Sequence, residues 1–396
     1  MRLRTADDID VRGKRVILRA TLDVHYIEQD GKRVVKDDAR LQEIVPSVRS
    51  LVSRGAKVIL LSWLQRPEGM PVETMNMQPV AERLSQLLGQ NVLMLPDCFG
   101  MEVRKMIDEA PAPSVMLLEN VRFHLGEKDT KVFDIEYARE LAKNGDIFIN
   151  DAFGQSHRNV ASITGIPRFL PSYAGSLLIK EVKALESVLT KPARPFVAVI
   201  GGAKISTKIG VIQSLLQKVD SLLLGGALAN TILRAQGVQI GTSLVEEGMV
   251  EVAKSLKLTD NRLHIPIDVV TAKDLSPAAA TRTSAVGKVF EDEKILDIGP
   301  DTIKLFEKVL ATAQTVIWNG PMGYFELPQF TKGTDDIARA VAGSGAHTVA
   351  GGGETIDAIR RLGLEKKISF ISMGGGAMLD FLEAGTLPGI EVLRES

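Results

Sequence analysis

The 396-residue chain carries a formal net charge of −1, with 45% apolar and 24% charged residues. Near-neutrality excludes a general attraction to nucleic acid or to an acidic membrane surface, and the composition is that of a folded globular chain, not a disordered or fibrous one. The length exceeds what one hydrophobic core ordinarily organises, so two domains are expected.

The single cysteine, Cys98, excludes an internal disulfide and fits a cytoplasmic setting. Met1-Arg2-Leu3-Arg4 leads into polar sequence without an apolar signal core, and no apolar run reaches the length of a membrane span. A cytoplasmic protein is expected, without nucleic-acid or membrane partners.

In the first half, short apolar runs alternate with amphipathic segments. Val16 to Arg19 reads as a strand, residues 41–54 as a helix, and Lys57 to Leu61 as a strand closing on Ser62-Trp63-Leu64-Gln65-Arg66-Pro67. Residues 77–88 read as a helix stopped by Gly89, Val92 to Leu95 and Val115 to Leu118 as strands, and 133–143 as a helix feeding the strand Ile147-Phe148-Ile149. Apolar strands separated by helices predict parallel sheets covered on both faces.

Residues 169–195 read as a connector, with Pro171 breaking structure, a helix over 177–189, and Lys191-Pro192-Ala193-Arg194-Pro195 as the stop. A second strand–helix series begins at Phe196. The boundaries are thus 1–168 for a first domain and 196–384 for a second. The fold class is α/β: two doubly wound parallel-sheet (Rossmann-like) domains joined by a helix and hinge.

The strand ends differ between the halves. In the second, they run into glycine: Gly201-Gly202 after Phe196 to Ile200, then Gly225-Gly226, Gly320 to Gly323, Gly351 to Gly353 and Gly374 to Gly376. Ligands of open parallel sheets sit beyond the carboxyl ends of the strands, so these turns offer a surface where a base and a polyphosphate approach backbone closely. Lys204 and Lys208 add charge there. In the first half, Arg19, Arg66, Arg122 and Arg158 lie at or beyond strand ends and Arg40 opens a helix. Guanidinium forks match phosphate and carboxylate oxygens, so this half suits a small anion.

Taken together, Leu118 to Phe123, Asn150 to Gly154 with His157-Arg158, Gly201 to Lys204, Asp297 to Pro300, Trp318 to Glu326, Gly351 to Thr355 and Gly374 to Ala377 resemble the phosphoglycerate kinase family, from Val11 to about Leu393. The resemblance implies phosphoryl transfer between 1,3-bisphosphoglycerate and ADP with Mg²⁺, in a monomer that closes about its hinge. It further implies that 385–396 returns to complete the first domain, the acceptor domain, and that the second binds the nucleotide. It implies that Arg40, Lys204 and the turn at Gly375 neutralise the transferring phosphoryl group. Arg66, Arg122 and Arg158 would bind the acceptor's distal phosphate. Gly202, Ala203, Lys208, Gly226, Leu228, Asn319, Glu326, Gly353 and Thr355 would bind the nucleotide, and Glu354, where the family usually has aspartate, would hold Mg²⁺.

The chain departs from the family at the acceptor loops. The pattern Arg-x-Asp-x-Asn-x-Pro is here Arg19-Ala20-Thr21-Leu22-Asp23-Val24-His25, and Ser-His-x-Gly-Arg-Pro is Ser62-Trp63-Leu64-Gln65-Arg66-Pro67. Thr21, Asp23 and Trp63 thus stand where the family recognises the carboxylate and hydroxyl end of its acceptor. Met373 replaces a threonine and Ala227 a glycine. Three readings stay open: a phosphoglycerate kinase with a rearranged acceptor loop, a kinase of another phosphorylated acid, and a non-catalytic nucleotide-binding paralogue.

Overall fold

The computed structural model describes residues 1–7, 9–128, 133–256 and 259–395. The chain forms two compact units, Met1–Lys183 with Thr386–Ser396, and Ala184–Gly385.

In the first unit the strands are β1 (Arg15–Arg19), β2 (Tyr26–Gln29), β3 (Lys32–Val35), β4 (Lys57–Leu61), β5 (Val92–Met94), β6 (Ser114–Leu117), β7 (Ile147–Asn150) and β8 (Ser172–Ala174). The helices are α1 (Ala39–Ser53), α2 (Gln78–Leu88), α3 (Met101–Glu109) and α4 (Ile135–Ala142). Six strands form one sheet in the order β5-β6-β4-β1-β7-β8, and every pairing in it is parallel. Side chains alternate across it: Val16, Leu18, Val58 and Leu60 enter one core, Ile17, Ile59, Leu61 and Phe148 the other. That period of two, with both faces buried, is why these strands read as unbroken apolar runs. The strand order reverses between β1 and β7, where Arg19 pairs with Asn150.

Helix α5 (Ser176–Thr190) crosses the division between the units. The reading of 169–195 as one connector is therefore modified, because β8 joins the first sheet beside β7 and Ala174 also bridges to Thr5.

The second unit has β9 (Phe196–Ile200), β10 (Ser221–Leu224), β11 (Leu263–His264), β12 (Asp268–Ala272), β13 (Arg282–Ala285), β14 (Lys294–Ile298), β15 (Thr315–Asn319), β16 (His347–Gly351) and β17 (Phe370–Ser372). Its helices are α6 (Ile209–Leu216), α7 (Ala227–Ala235), α8 (Val250–Ala253), α9 (Pro300–Leu310), α10 (Lys332–Gly343), α11 (Gly353–Arg361) and α12 (Gly376–Ala384). The main sheet runs β11-β10-β9-β15-β16-β17, again parallel throughout. Its order reverses between β9 and β15, at Ile200 and Asn319. A separate antiparallel sheet, β13-β12-β14, and the hairpin β2–β3 fall outside the strand–helix alternation.

The C-terminal segment, with α13 (Pro388–Glu391), belongs to the first unit. Leu3 pairs with Arg394, and Gly389 N–H donates to Ser156 C=O at 2.8 Å. The buried Asn150 amide donates to Gly389 C=O at 3.1 Å and to Ser156 Oγ at 3.0 Å. Leaving a buried partner unpaired costs about 1–3 kcal/mol. Asn150→Ala is therefore expected to lower the unfolding free energy by about that amount, read as a shifted denaturant midpoint at unchanged m-value. An unchanged midpoint would show that this amide does not hold the returning segment.

Candidate active site

In the second unit, glycine turns meet at the carboxyl edge of the sheet. Gly201 N–H donates to Asn319 C=O at 2.9 Å, Gly202 to Pro321 at 2.8 Å, and Gly226 to Met322 at 2.9 Å. A Cβ on Gly201 would collide with Pro321 O, one on Gly226 would lie 2.5 Å from Gly202 N, and one on Gly320 would collide with Gly201 backbone. Gly202, Gly226 and Gly320 also hold positive φ, which glycine adopts without a steric penalty.

Beside these turns lies a cleft of about 400 Å³ lined by Gly202, Ala203, Gly226, Ala227, Leu296, Asp297, Met322, Tyr324, Glu326 and Glu354, among others. Glu354 stands exposed in the first turn of α11. Lys208, the residue before α6, donates from Nζ to Gly201 C=O. Desolvation lowers its pKa to about 8, against the attraction of Glu354. Lys204 is exposed.

Three expectations about this edge change. The 201–208 turn is not wholly open to an anion: Gly201, Gly202 and Lys208 give their N–H groups to backbone carbonyls, and Ser206 gives its N–H (2.9 Å) and hydroxyl (2.6 Å) to Glu246. Desolvation raises the Glu246 pKa, but these hydrogen bonds and Lys204 outweigh it and hold it low. Asn319 and Thr355 are buried and tie loops together: Asn319 Nδ2 donates to Gly351 C=O at 2.9 Å, and Gly320 N–H donates to Thr355 Oγ1 at 2.6 Å. Leu228 places its side chain in the interior, while its N–H donates to Gly202 C=O at 3.0 Å. Gly353 opens α11 and Gly375, at φ +50°, precedes α12.

In the first unit, Arg66, Arg122 and Arg158 line one cleft of about 340 Å³, with Glu68, Gly69, His124, Glu127 and Lys128. Arg122 is half-buried and donates from Nη1 to Gln65 C=O at 2.6 Å. Arg19 lies outside this lining. It is fully buried, and its guanidinium donates to Ser162 Oγ at 3.1 Å and Ala20 C=O at 2.6 Å. Desolvation lowers its pKa to about 10.

Trp63 is 5% exposed, with the guanidinium carbons of Arg19 and Arg122 over its ring at 4.6 and 4.0 Å. The indole therefore acts through the arginines that it supports. Asp23 accepts from Gln65 N–H at 2.9 Å, and its backbone carbonyl accepts from Arg40. Thr21 is half-buried next to these groups in sequence.

The sequence reading gives no role to Glu68, His124, Glu127 and Lys128 in the first cleft, and it names Asp297, which lines the second, only as part of a motif. Glu127 lies four residues beyond the Leu118–Phe123 motif, a spacing that gave the only available signal. It is buried, accepts from Ser162 N–H at 3.1 Å and from Ser162 hydroxyl, and so joins Arg19 through that serine.

A glycine-walled cleft in one unit and an arginine-lined cleft in the other are the pair of anion sites expected of an α/β phosphotransferase. The phosphoglycerate kinase family profile matches residues 6–385. The chain is 45% identical over 399 residues, and over the full length of both chains, to "Phosphoglycerate kinase" of Pelotomaculum thermopropionicum. It is 44% identical over 395 residues to that of Gloeothece citriformis, covering 98% of this chain and 97% of the relative. The solved structure of phosphoglycerate kinase from Coxiella burnetii matches at TM-score 0.86 and 36% identity, over 99% of this chain and 98% of that one. The Pyrococcus horikoshii structure matches at TM-score 0.85 and 31% identity with the same coverage. The chain belongs to the phosphoglycerate kinase family.

Desolvation lifts the Glu127 pKa to about 7, against the pull of Arg19 and Ser162. A folded-state pKa above the unfolded one means that the native state holds the extra proton. Its contribution is complete below the ordinary carboxylate range and is lost as pH rises through about 7. The loss is on the order of 3 kcal/mol. Glu127→Gln is expected to remove that part of the pH slope of stability, measured by denaturant titrations from about pH 5 to pH 8. A variant with the wild-type slope would refute the assignment.

Proposed function

We propose that this protein catalyses reversible phosphoryl transfer between 1,3-bisphosphoglycerate and MgADP, giving 3-phosphoglycerate and MgATP. The observation that carries this reading is the convergence of Arg66, Arg122 and Arg158 on one cleft of a family member whose other unit retains the glycine-walled cleft. The acceptor carboxylate is already a nucleophile, so no general base is needed and catalysis reduces to positioning and charge neutralisation.

Arg66, Arg122 and Arg158 hold the acceptor's phosphate in this reading, with its other end toward Thr21, Asp23 and Trp63. Arg40, Lys204 and the α12 N-terminus at Gly375 neutralise the transferring group. Lys208 holds nucleotide phosphates, and Gly202, Ala203, Gly226 and Glu326 wall the nucleotide cleft. Glu354 fits Mg²⁺, a hard cation bound by one or two carboxylates together with substrate phosphates. The metal supplies charge neutralisation on those phosphates. A monomer working in the cytoplasm completes the proposal.

A second reading has one specific observation in its favour. Asp23 is turned onto Gln65 and the Trp63 ring is buried beneath Arg122, so the groups that would meet a glycerate end differ from the family's. Each lost polar partner costs about 1–3 kcal/mol. Two or three such losses amount to about two to five decades in kcat/KM. An acceptor with the same phosphate but a different acid end would then be the better substrate.

A coupled assay with 3-phosphoglycerate and MgATP decides between them. Turnover at ordinary rates, falling about 10²–10³-fold in Lys204→Ala, supports the first reading. Absent turnover with tight ADP binding by calorimetry removes it. Combining Thr21→Asp, Asp23→Asn and Trp63→His is expected to raise kcat/KM for 3-phosphoglycerate by about tenfold or more. No increase would overturn the placement of these residues at the acceptor.

A further inference from the structure

Beside the arginine-lined cleft lies a cluster that the proposed reaction does not use. Asp97 and Cys98 follow β5, and His124 follows the turn at Val121–Phe123. One ligand atom from each, a carboxylate oxygen, a thiol sulfur and an imidazole nitrogen, lies within 4.8 Å of the others. Asp97 Oδ1 is 2.6 Å from His124 Nε2.

The three groups are held by their surroundings. Cys98 is fully buried and its thiol donates to Glu119 C=O at 2.9 Å. Its own carbonyl accepts from Asn144 at 2.7 Å, and its N–H donates to Asp97 Oδ1 at 2.6 Å. The His124 ring packs on Phe99 and Tyr137 with centroids at 4.9 and 5.6 Å. The Asp97 and His124 side chains are 45% and 27% exposed, which leaves the cluster open to solvent on one side.

We propose that Asp97, Cys98 and His124 form a binding site for one thiophilic divalent cation of the zinc type. Zinc bonds of about 2.0–2.3 Å in tetrahedral geometry place ligand atoms roughly 3.3–3.8 Å apart. A cluster already within 4.8 Å reaches that with small side-chain rotations. Thiolate and imidazole select this class of cation over Mg²⁺, which prefers oxygen ligands. On binding, the Cys98 S–H bond and its hydrogen bond to Glu119 C=O break and the thiol proton leaves to solvent, the proton shared between His124 Nε2 and Asp97 moves off that nitrogen, to Nδ1 or to solvent, and the sulfur–metal, nitrogen–metal and oxygen–metal bonds form, with water at the fourth position. Thiolate and carboxylate together cancel the ion's two charges, so the neutral centre is compatible with the nearby Arg66 and Arg122. His124 also walls the arginine-lined cleft, so occupancy would fix part of that wall.

Cobalt(II), added to the nucleotide-free full chain, is the probe. Cys98 is the only cysteine, so a thiolate-to-cobalt charge-transfer band has no other source. The expected result is one equivalent bound, with that band and the strong visible bands of tetrahedral cobalt, bleached by zinc and unaffected by Mg²⁺. Cys98→Ser should lose the band. His124→Gln, at a half-exposed position, should weaken binding roughly tenfold or more while the fold persists by circular dichroism. The proposal is overturned if folded wild-type protein shows no charge-transfer band, or if His124→Gln binds cobalt with unchanged affinity.

Discussion

Backbone crowding at the carboxyl edge of the second sheet is the constraint on which the glycine-walled cleft depends. Three chain segments, 201–202, 225–226 and 319–322, are hydrogen-bonded through their main chains where β9 and β15 part. No side chain fits between them, as the collisions awaiting a Cβ at Gly201, Gly226 and Gly320 show. The cleft floor is therefore backbone, held by its own amides and carbonyls, and a rigid floor places a ligand without reorganisation at the moment of reaction. Asn319 and Thr355 serve this floor from beneath, by tying the β15 turn to the β16 turn. Lys208 is fixed by the same turn, and its depressed pKa follows from being held in that dry place.

The first unit solves a different problem, keeping cations together without ligand. Arg66, Arg122 and Arg158 repel one another across one cleft. The compensation is layered. Glu127 lies at the wall, Asp23 acts on Arg122 from the loop side, and the Trp63 indole takes the guanidiniums of Arg122 and Arg19. Desolvation still lowers the Arg122 pKa. Arg19 Nη2 is buried with no hydrogen-bond partner among the described residues, so the layer is not fully satisfied. The π-helical turn Ala161–Gly165 contributes by carrying Ser162 between Arg19 and Glu127.

Much of this was legible in the sequence, and for specific reasons. Phe196 to Ile200 is buried at every position, as a strand covered on both faces must be, so its apolar run was unambiguous. Gly89 takes φ +72° after α2 and ends it as the sequence suggested. The arginines of the cleft were visible because charge at a strand end has few structural uses. Other features left no such trace. Arg19 looked like its neighbours, and only three-dimensional packing shows that its guanidinium is spent on Ser162 and Ala20. The β13-β12-β14 sheet is built partly from short polar strands such as Arg282-Thr283-Ser284-Ala285, which carry no apolar alternation. Glu246 reaches the 201–208 turn from 40 residues away, a distance that no local pattern encodes.

Gln65 ties together the loop of Asp23, Trp63 and Arg122. It adopts φ +53°, a left-handed conformation that is costly for any residue with a Cβ, at a position where the family pattern has glycine. Such a conformation costs about 1–3 kcal/mol and persists only when the surroundings enforce it. Here its N–H is taken by Asp23 and its C=O by Arg122. The substitutions thus form one structural unit: Gln65 supplies the strained turn, Asp23 clamps it, and Trp63 supports the arginine that completes the clamp. Such a loop keeps Arg66, Arg122 and Arg158 in one cleft while changing the surface beside them, and under the proposed function that would separate anchoring of the acceptor from recognition of its acid end.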